Sequence, residues 1–321
     1  MPAAVSGIHH VTAIASAPQP NLDFYASVLG LRLVKKTVNF DAPDVYHFYF
    51  GDEGGSPGTI LTFFPFPDAA RGERGTGEIS SVALHAPLYS LGFWAGHLAR
   101  HGVQFEGPLS RFGEEFIAFE DSDGLRLEIV FAGEGDIPGS LPERGGVPRE
   151  SAIRRIAGVT CDLRDMGPTE ELLSGMLGVR RTGKEGKRAR FTVGDGAEAS
   201  AIDIRTIPGS GRGRQSAGSV HHIAWRTPSP EDQREWRLRL VDAGLSVTEV
   251  LDRKYFQSIY FREPGGILFE IATDPPGFAV DEPPAALGSG LQLPAWLEAE
   301  RGKIERILPT VLVPGTGIPE R

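Results

Sequence analysis

The sequence predicts an α+β protein built from four βαβββ modules, which form two paired-module domains with curled mixed sheets. Three observations predict it. A short apolar or alternating strand, a helical segment ending in glycine and three further strands recur in one order along the 321 residues. The strand segments are rich in β-branched and aromatic residues bounded by Gly and Pro. Adjacent histidine pairs stand at the same point of the first and last copies, in IHHVTAIA and SVHHIA.

The first module runs from IHHVTAIAS through the helical NLDFYASVLGL to the strands LRLVKKTVNF, VYHFYFGD and PGTILTFFPF. The second runs from ISSVALHAP through LGFWAGHLARHGV to EEFIAFEDSDGLRLEIVF. The third is weaker: IRRIAGVTCDL, PTEELLSGMLGV, KRARFTVGD and ASAIDIRTI. The fourth has SVHHIAWRT, a helix over PEDQREWRLRLVDAGLSV with apolar Trp236, Leu238, Leu240 and Val241 closed by Gly244, then SIYFREPGGILFEIATD. These modules group by sequence into residues 5–132 (modules one and two) and 152–274 (modules three and four), followed by a tail, 275–321, with one amphipathic helix near Pro294 to Leu308. The connections AGEGDIPGSLPERGGVPRE and PGSGRGRQSAG read as surface linkers. GSGRGR leads into no helix, so it is not a phosphate loop.

A net charge of −9 without a basic face disfavours nucleic acid and anionic membrane as partners. No apolar run is long enough to cross a bilayer, and MPAAVSGIHH lacks the pattern of a secretion signal, so a cytoplasmic location is expected. The single Cys161 allows no intramolecular disulfide and no thiolate zinc cluster, and in VTCDL it reads as a buried strand residue. Association into a homo-oligomer through sheet edges is an open expectation.

Adjacent strand residues point to opposite faces, so alternation divides each histidine pair. His10 shares a side with Thr12, and His222 with Ala224, whose small or polar side chains leave room in a cup. His9 and His221 then become supporting neighbours of the ligands or buried core residues, unless a bulge swaps the faces. In GGILFEIA the bulky Ile267, Phe269 and Ile271 separate from Glu270, which points into the cup. A carboxylate on an apolar strand needs a cation. Two imidazoles and one carboxylate suit one face of an octahedral Fe(II) site of the kind that uses O₂, with Mn(II) or Zn(II) as alternatives.

With these motifs in place the chain resembles the vicinal oxygen chelate superfamily, and within it the bacterial ring-cleaving dioxygenases that open hydroquinones. IHHVTAIA, LRLVKKTVNFD, VYHFYFGDEGGSPGT, SVHHIA and YFREPGGILFEIATD carry the resemblance over almost the whole chain. It implies His10, His222 and Glu270 as ligands, with His9, Thr12, His221 and Tyr260 touching substrate or moving protons. In the catechol extradiol enzymes the first histidine comes from module three, where this chain has Ala157 and Gly158, so the site is expected from modules one and four.

Other candidates have plainer readings. Glu128 in DGLRLEIV matches Glu270, but Ser80 and Ser81 stand where histidines would be needed, so it reads as a relic or a structural carboxylate. His97 and His101 read as a solvated helix end, and His47 and His85 as buried strand residues. Phe48, Phe50, Phe63 and Phe64 read first as core. Alternation in SIYFRE turns Ser258, Tyr260 and Arg262 toward the cup, and Arg253 is either an anion holder or half of a surface ion pair. The expected activity is Fe(II)-dependent, extradiol-type ring cleavage of a small aromatic diol, most of all a hydroquinone, with O₂. A glyoxalase-like metal-dependent isomerase or lyase and a non-enzymatic binding module are the alternatives on the same scaffold.

Overall fold

The computed structural model describes residues 4–133, 143–196 and 199–314. All four modules form, although residues 134–142 of the expected inter-module linker lie outside the described residues. The first holds β1 (Ile8–Ala15), a helix Pro18–Leu22 that continues as a π-helical turn Asp23–Val28, β2 (Arg32–Asn39), β3 (Ala42–Gly51) and β4 (Ile60–Pro65). The second holds β5 (Glu78–Ala86), helix Leu91–Arg100, β6 (Phe105–Arg111), β7 (Glu114–Glu120) and β8 (Arg126–Phe131). The third holds β9 (Arg155–Leu163), Gly167–Glu171 with a π-helical turn Leu172–Met176, β10 (Arg180–Glu185), β11 (Arg188–Val193) and β12 (Ser200–Thr206). The fourth holds β13 (Ser219–Thr227), helix Pro230–Asp242, β14 (Leu251–Asp252), β15 (Phe256–Arg262) and β16 (Leu268–Pro276).

Helix Pro230–Asp242 starts where it does because the Ser229 side chain accepts from Asp232 N–H and Pro230 presets the first turn. It buries Gln233, Trp236 and Leu240, whereas Leu238 and Val241 are exposed. The expected apolar stripe is therefore narrower, and Gln233 fills it by donating to the carbonyls of Gln257 and Ile271.

The strands form two eight-stranded sheets, ordered β14-β15-β16-β13-β1-β4-β3-β2 and β10-β11-β12-β9-β5-β8-β7-β6. Module one shares a sheet with module four, and module two with module three, so sheet membership runs across the expected grouping by sequence halves. Connectors 66–77 and 207–218 pass side by side between the sheets, with bridges Glu73–Arg214 and Thr76–Arg212. Their approach requires glycine, since a Cβ on Gly75 would lie 2.4 Å from Gly213 N.

What matches module one to module four is a bulge. β1 and β13 pair antiparallel, with Ile8 opposite Trp225 but His10 opposite Ala224, so His9 is the extra residue on β1. Likewise Thr12 faces His222 and Ala13 faces Val220, which leaves His221 extra on β13. The other sheet repeats both bulges at Ser80 and Ala157, since Ile79 faces Cys161, Ser81 faces Thr160, Ala83 faces Gly158 and Leu84 faces Ile156. The two sheets are therefore equivalent position by position, with Ser81 and Gly158 where the other has His10 and His222.

The tail is strapped across β2. Lys36 and Leu291 form a bridge and Gln292 N–H donates to the Lys36 carbonyl. The fully buried Lys35 ammonium pairs with Asp281 and Glu282. The helix expected near Pro294 to Leu308 is shorter: a 3₁₀ turn Glu298–Glu300 followed by an α-helix Arg301–Ile307, which buries Ile304. The start is displaced because Pro294 opens a separate turn, closed by Leu297 N–H on its carbonyl.

Candidate metal centre and aromatic cavity

β1, β13 and β16 meet in the middle of the first sheet, and their registers fix the site. Ala224 lies beside Glu270 in the parallel β13–β16 pair and opposite His10 in the β1–β13 pair. His10, His222 and Glu270 consequently share one face and are buried. Glu270 Oε2 lies 3.3 Å from His10 Nε2 and 2.9 Å from His222 Nε2, and the two Nε2 atoms are 3.4 Å apart. Ser258 Oγ donates to the other carboxylate oxygen, Oε1. Oε2 is buried and accepts no well-formed hydrogen bond. An orphaned carboxylate oxygen facing two imidazole nitrogens is a donor set that fits a divalent cation.

Burial pushes the Glu270 carboxyl up, but His10 and His222 outweigh it and hold the group well below the usual carboxylate range. Burial lowers His222. A deprotonated carboxylate beside imidazole nitrogens is what a divalent metal requires.

Alternation misjudges His9 and His221. Because each is a bulged residue, its ring turns back on its neighbour: His9 Nδ1 is 2.9 Å from His10 Nδ1, and His221 Nδ1 is 2.7 Å from His222 Nδ1. With Nε2 turned to Glu270, each Nδ1–H of His10 and His222 donates to the neighbouring ring, which sets tautomer and orientation. Burial lowers both outer histidines to about 3, so they stay neutral. They differ in access: His9 is buried against Phe256, while His221 lines a cavity.

That cavity, about 370 Å³, opens above the cluster. Its walls include Thr12, Tyr49, Phe64, Phe66, Phe256, Arg253 and Tyr260, together with His10 and His222. This volume, mostly apolar with a few polar groups, suits a single aromatic ring. Tyr260 stands edge-on to His222 with ring centroids 5.6 Å apart, and burial keeps its phenol protonated. Thr62 Oγ1 donates to Thr12 Oγ1 at 2.9 Å and lies 2.8 Å from His47 Nε2. Arg253 forms the ion pair: its Nη2 pairs with Asp41 at 3.0 Å, and its Nε donates to the Tyr260 hydroxyl at 3.3 Å.

Several expectations change. His47 is a wall of the cavity as well as a strand residue. In VYHFYF the set Tyr46, Phe48 and Phe50 is core, and the opposite set Val45, His47 and Tyr49 contains the cavity residues, so parity was the signal. Phe64 is cavity wall, whereas Phe48, Phe50 and Phe63 are core. Arg262 does not enter the cup; it is exposed and donates to the Gly266 carbonyl. His97 is no solvated helix end, since it is buried with its Nε2 at 2.8 Å from the Val28 carbonyl.

In the second sheet the equivalent cup holds a guanidinium instead. Glu128 lies beside Ala83, and Asp203 beside Thr160, the positions that correspond to Thr62 and Glu270 in the first sheet. Arg111 bridges them, with Nη2 at 2.5 Å from Glu128 and Nε at 2.9 Å from Asp203. The structural reading of Glu128 is the one this geometry supports.

The family model for the Glyoxalase/Bleomycin resistance protein/Dioxygenase superfamily matches residues 7–129 and 163–271. The chain belongs to this superfamily. Among its relatives, MhqO of Bacillus subtilis, a candidate ring-cleaving dioxygenase, is 47% identical over 94% of this chain and 96% of its own length. The chlorohydroquinone/hydroquinone 1,2-dioxygenase of Sphingobium indicum is 35% identical over 98% of this chain and 99% of its own length. A crystal structure of a candidate dioxygenase from Bacillus subtilis superposes with a TM-score of 0.91 at 46% identity, covering 97% of this chain and 98% of that one. Glyoxalase I of Zea mays shares the fold alone, with a TM-score of 0.62 at 14% identity over 84% of this chain and 92% of that one. No helix among the described residues is long and apolar enough to cross a membrane.

Proposed function

We propose that the protein is an Fe(II)-dependent, extradiol-type ring-cleaving dioxygenase that opens a hydroquinone with O₂, with His10, His222 and Glu270 as the metal ligands. The observation that carries this reading is the orphaned Glu270 Oε2 facing the nitrogens of two imidazoles that line an aromatic cavity. A ferrous ion held by His10, His222 and Glu270 would supply a Lewis acid that lowers the pKa of a bound phenol. Mn(II) and Zn(II) suit the same donors. The activity named for the Sphingobium indicum relative supports the hydroquinone.

The chain's own groups do the rest. His9 and His221 hold the Nδ1 protons of the ligand histidines and so fix both rings. With Nδ1 accepting from His222, neutral His221 carries its own proton on Nε2, so it and the protonated Tyr260 phenol serve as donors that hold a diol oxygen in the cavity and return its proton. Thr12 lends its hydroxyl to the same cavity, fixed by the Thr62 contact. Phe64, Phe66 and Phe256 exclude water and hold the ring's faces.

Protein loaded anaerobically with Fe(II) is expected to consume O₂ with hydroquinone and to form a ring-opened semialdehyde acid. Absence of O₂ uptake with hydroquinones and catechols alike would overturn the reading, and isomerase turnover without O₂ would assign the site to glyoxalase-type chemistry.

A further inference from the structure

The cavity wall contains one guanidinium, that of Arg253, and one carboxylate, that of Asp41, among the described residues. They come from different modules: Asp41 from the β2–β3 turn, where its N–H donates to Asn39 Oδ1, and Arg253 from the β14–β15 hairpin. Their ion pair at 3.0 Å joins a largely buried guanidinium to a solvent-exposed carboxylate. The neighbouring Phe40 is braced from outside by Trp296 of the tail, with ring centroids 5.6 Å apart.

The second sheet shows what this hairpin arginine does without such a partner. Compared module for module, with module two laid on module four, Ala118 lies opposite Glu128 and Tyr260 opposite Glu270, so the two are equivalent. Arg111 and Arg253 each stand seven residues before them (118 − 111 = 260 − 253 = 7), at the same corner of the hairpin. Arg111 turns inward to the two buried carboxylates of its cup, Glu128 and the Asp203 that it shares with Arg190 and Arg188. Arg253 instead lies along the wall, its guanidinium 5.4 Å from the Tyr260 ring centroid, tied to Asp41. A guanidinium in a mostly apolar cavity attracts any ring carrying a carboxylate, because the fork matches that group with two charge-assisted hydrogen bonds. Asp41 already fills that role.

We propose that Asp41 is a specificity-determining residue: as the fixed counter-ion of Arg253 it keeps the cavity's guanidinium satisfied, so that the site accepts uncharged aromatic diols and turns away rings that bear a carboxylate. This rests on the reading of the site as one for aromatic diols. Asp41 acts through Arg253, without a role in the proton transfers.

The test compares O₂ uptake by Fe(II)-loaded wild type and Asp41→Asn on hydroquinone and on 2,5-dihydroxybenzoate. The ratio of the two kcat/KM values, hydroquinone over acid, is expected to fall by about tenfold or more in the variant, mainly through a lower KM for the acid, and to return in Asp41→Glu. Calorimetric titration with 4-hydroxybenzoate gives a readout without turnover. Binding should tighten by a similar factor in Asp41→Asn, and the gain should vanish in Asp41→Asn/Arg253→Gln. An unchanged ratio, or a parallel loss on both substrates with no gain in acid binding, would overturn the proposal. If wild type consumes no O₂ with either diol, the dioxygenase reading fails, and the calorimetric comparison still decides the role of Asp41.

Discussion

Arg111 places its guanidinium 2.5 Å from Glu128, at the position in the second sheet that corresponds to Thr62 in the first. The arginine and both of its carboxylate partners, Glu128 and Asp203, are almost wholly inaccessible. Removing one member of a buried pair leaves uncompensated charge, which costs far more than the intact pair contributes. Arg111→Ala should destabilise the fold by about 3–5 kcal/mol in urea unfolding, and Arg111→Met with Glu128→Gln should recover much of it, since Asp203 keeps Arg190 and Arg188 as partners.

His10→Ala, His222→Ala and Glu270→Ala should each lose bound metal and O₂ uptake together, because three donors around one ion leave none to spare. Metal content by mass spectrometry of the purified variants checks this. Full stoichiometry retained in all three would reject the ligand assignment.

His85 gives the fold a pH dependence away from the cavity. Burial, aided by Arg155, lowers its pKa from the ordinary 6.5 to about 4, and its Nε2–H donates to the Ala132 carbonyl. The unfolded chain therefore binds more protons between those values. The stability linked to His85 is present above pH 6.5 and is lost as pH falls toward 4. The stability difference between wild type and His85→Gln should shift by roughly 2 kcal/mol at most from pH 6.5 to pH 5, with wild type the more acid-sensitive. Parallel pH profiles in chemical denaturation would contradict it.

Gly288 anchors the tail. Its φ is +78°, and a Cβ there would lie 1.9 Å from the Leu33 carbonyl oxygen, a backbone atom that cannot give way. Gly288→Ala should loosen the strap on β2 and cost about 1–3 kcal/mol. Limited proteolysis reads it directly, as faster tryptic cleavage at Arg301 and Lys303.

Much of the site was legible because strand parity is a property of the chain itself. Ile267, Phe269 and Ile271 against Glu270, and His10 with Thr12, sort onto their faces by alternation alone, and the structure places Glu270 and His10 together as that sorting implies. His9 and His221 defeat it, since a bulge inserts a residue without any mark in composition. His47 carried the same parity signal as Tyr49 but was outweighed by its aromatic neighbours. Asp41 and Arg253 lie 212 positions apart in elements of different modules, and no local pattern links them.

The sequence by itself determined the four modules, the helix and strand character of each, and which residues carry nitrogen and oxygen donors, since periodicity and turn chemistry act over a few residues. The tertiary structure alone decided that module one joins module four. Strand edges pair by matching register and bulge across space, and the distance along the chain does not enter that match. That pairing brings His10 and His222 to one carboxylate and sets Asp41 against Arg253 in the wall of the same cavity.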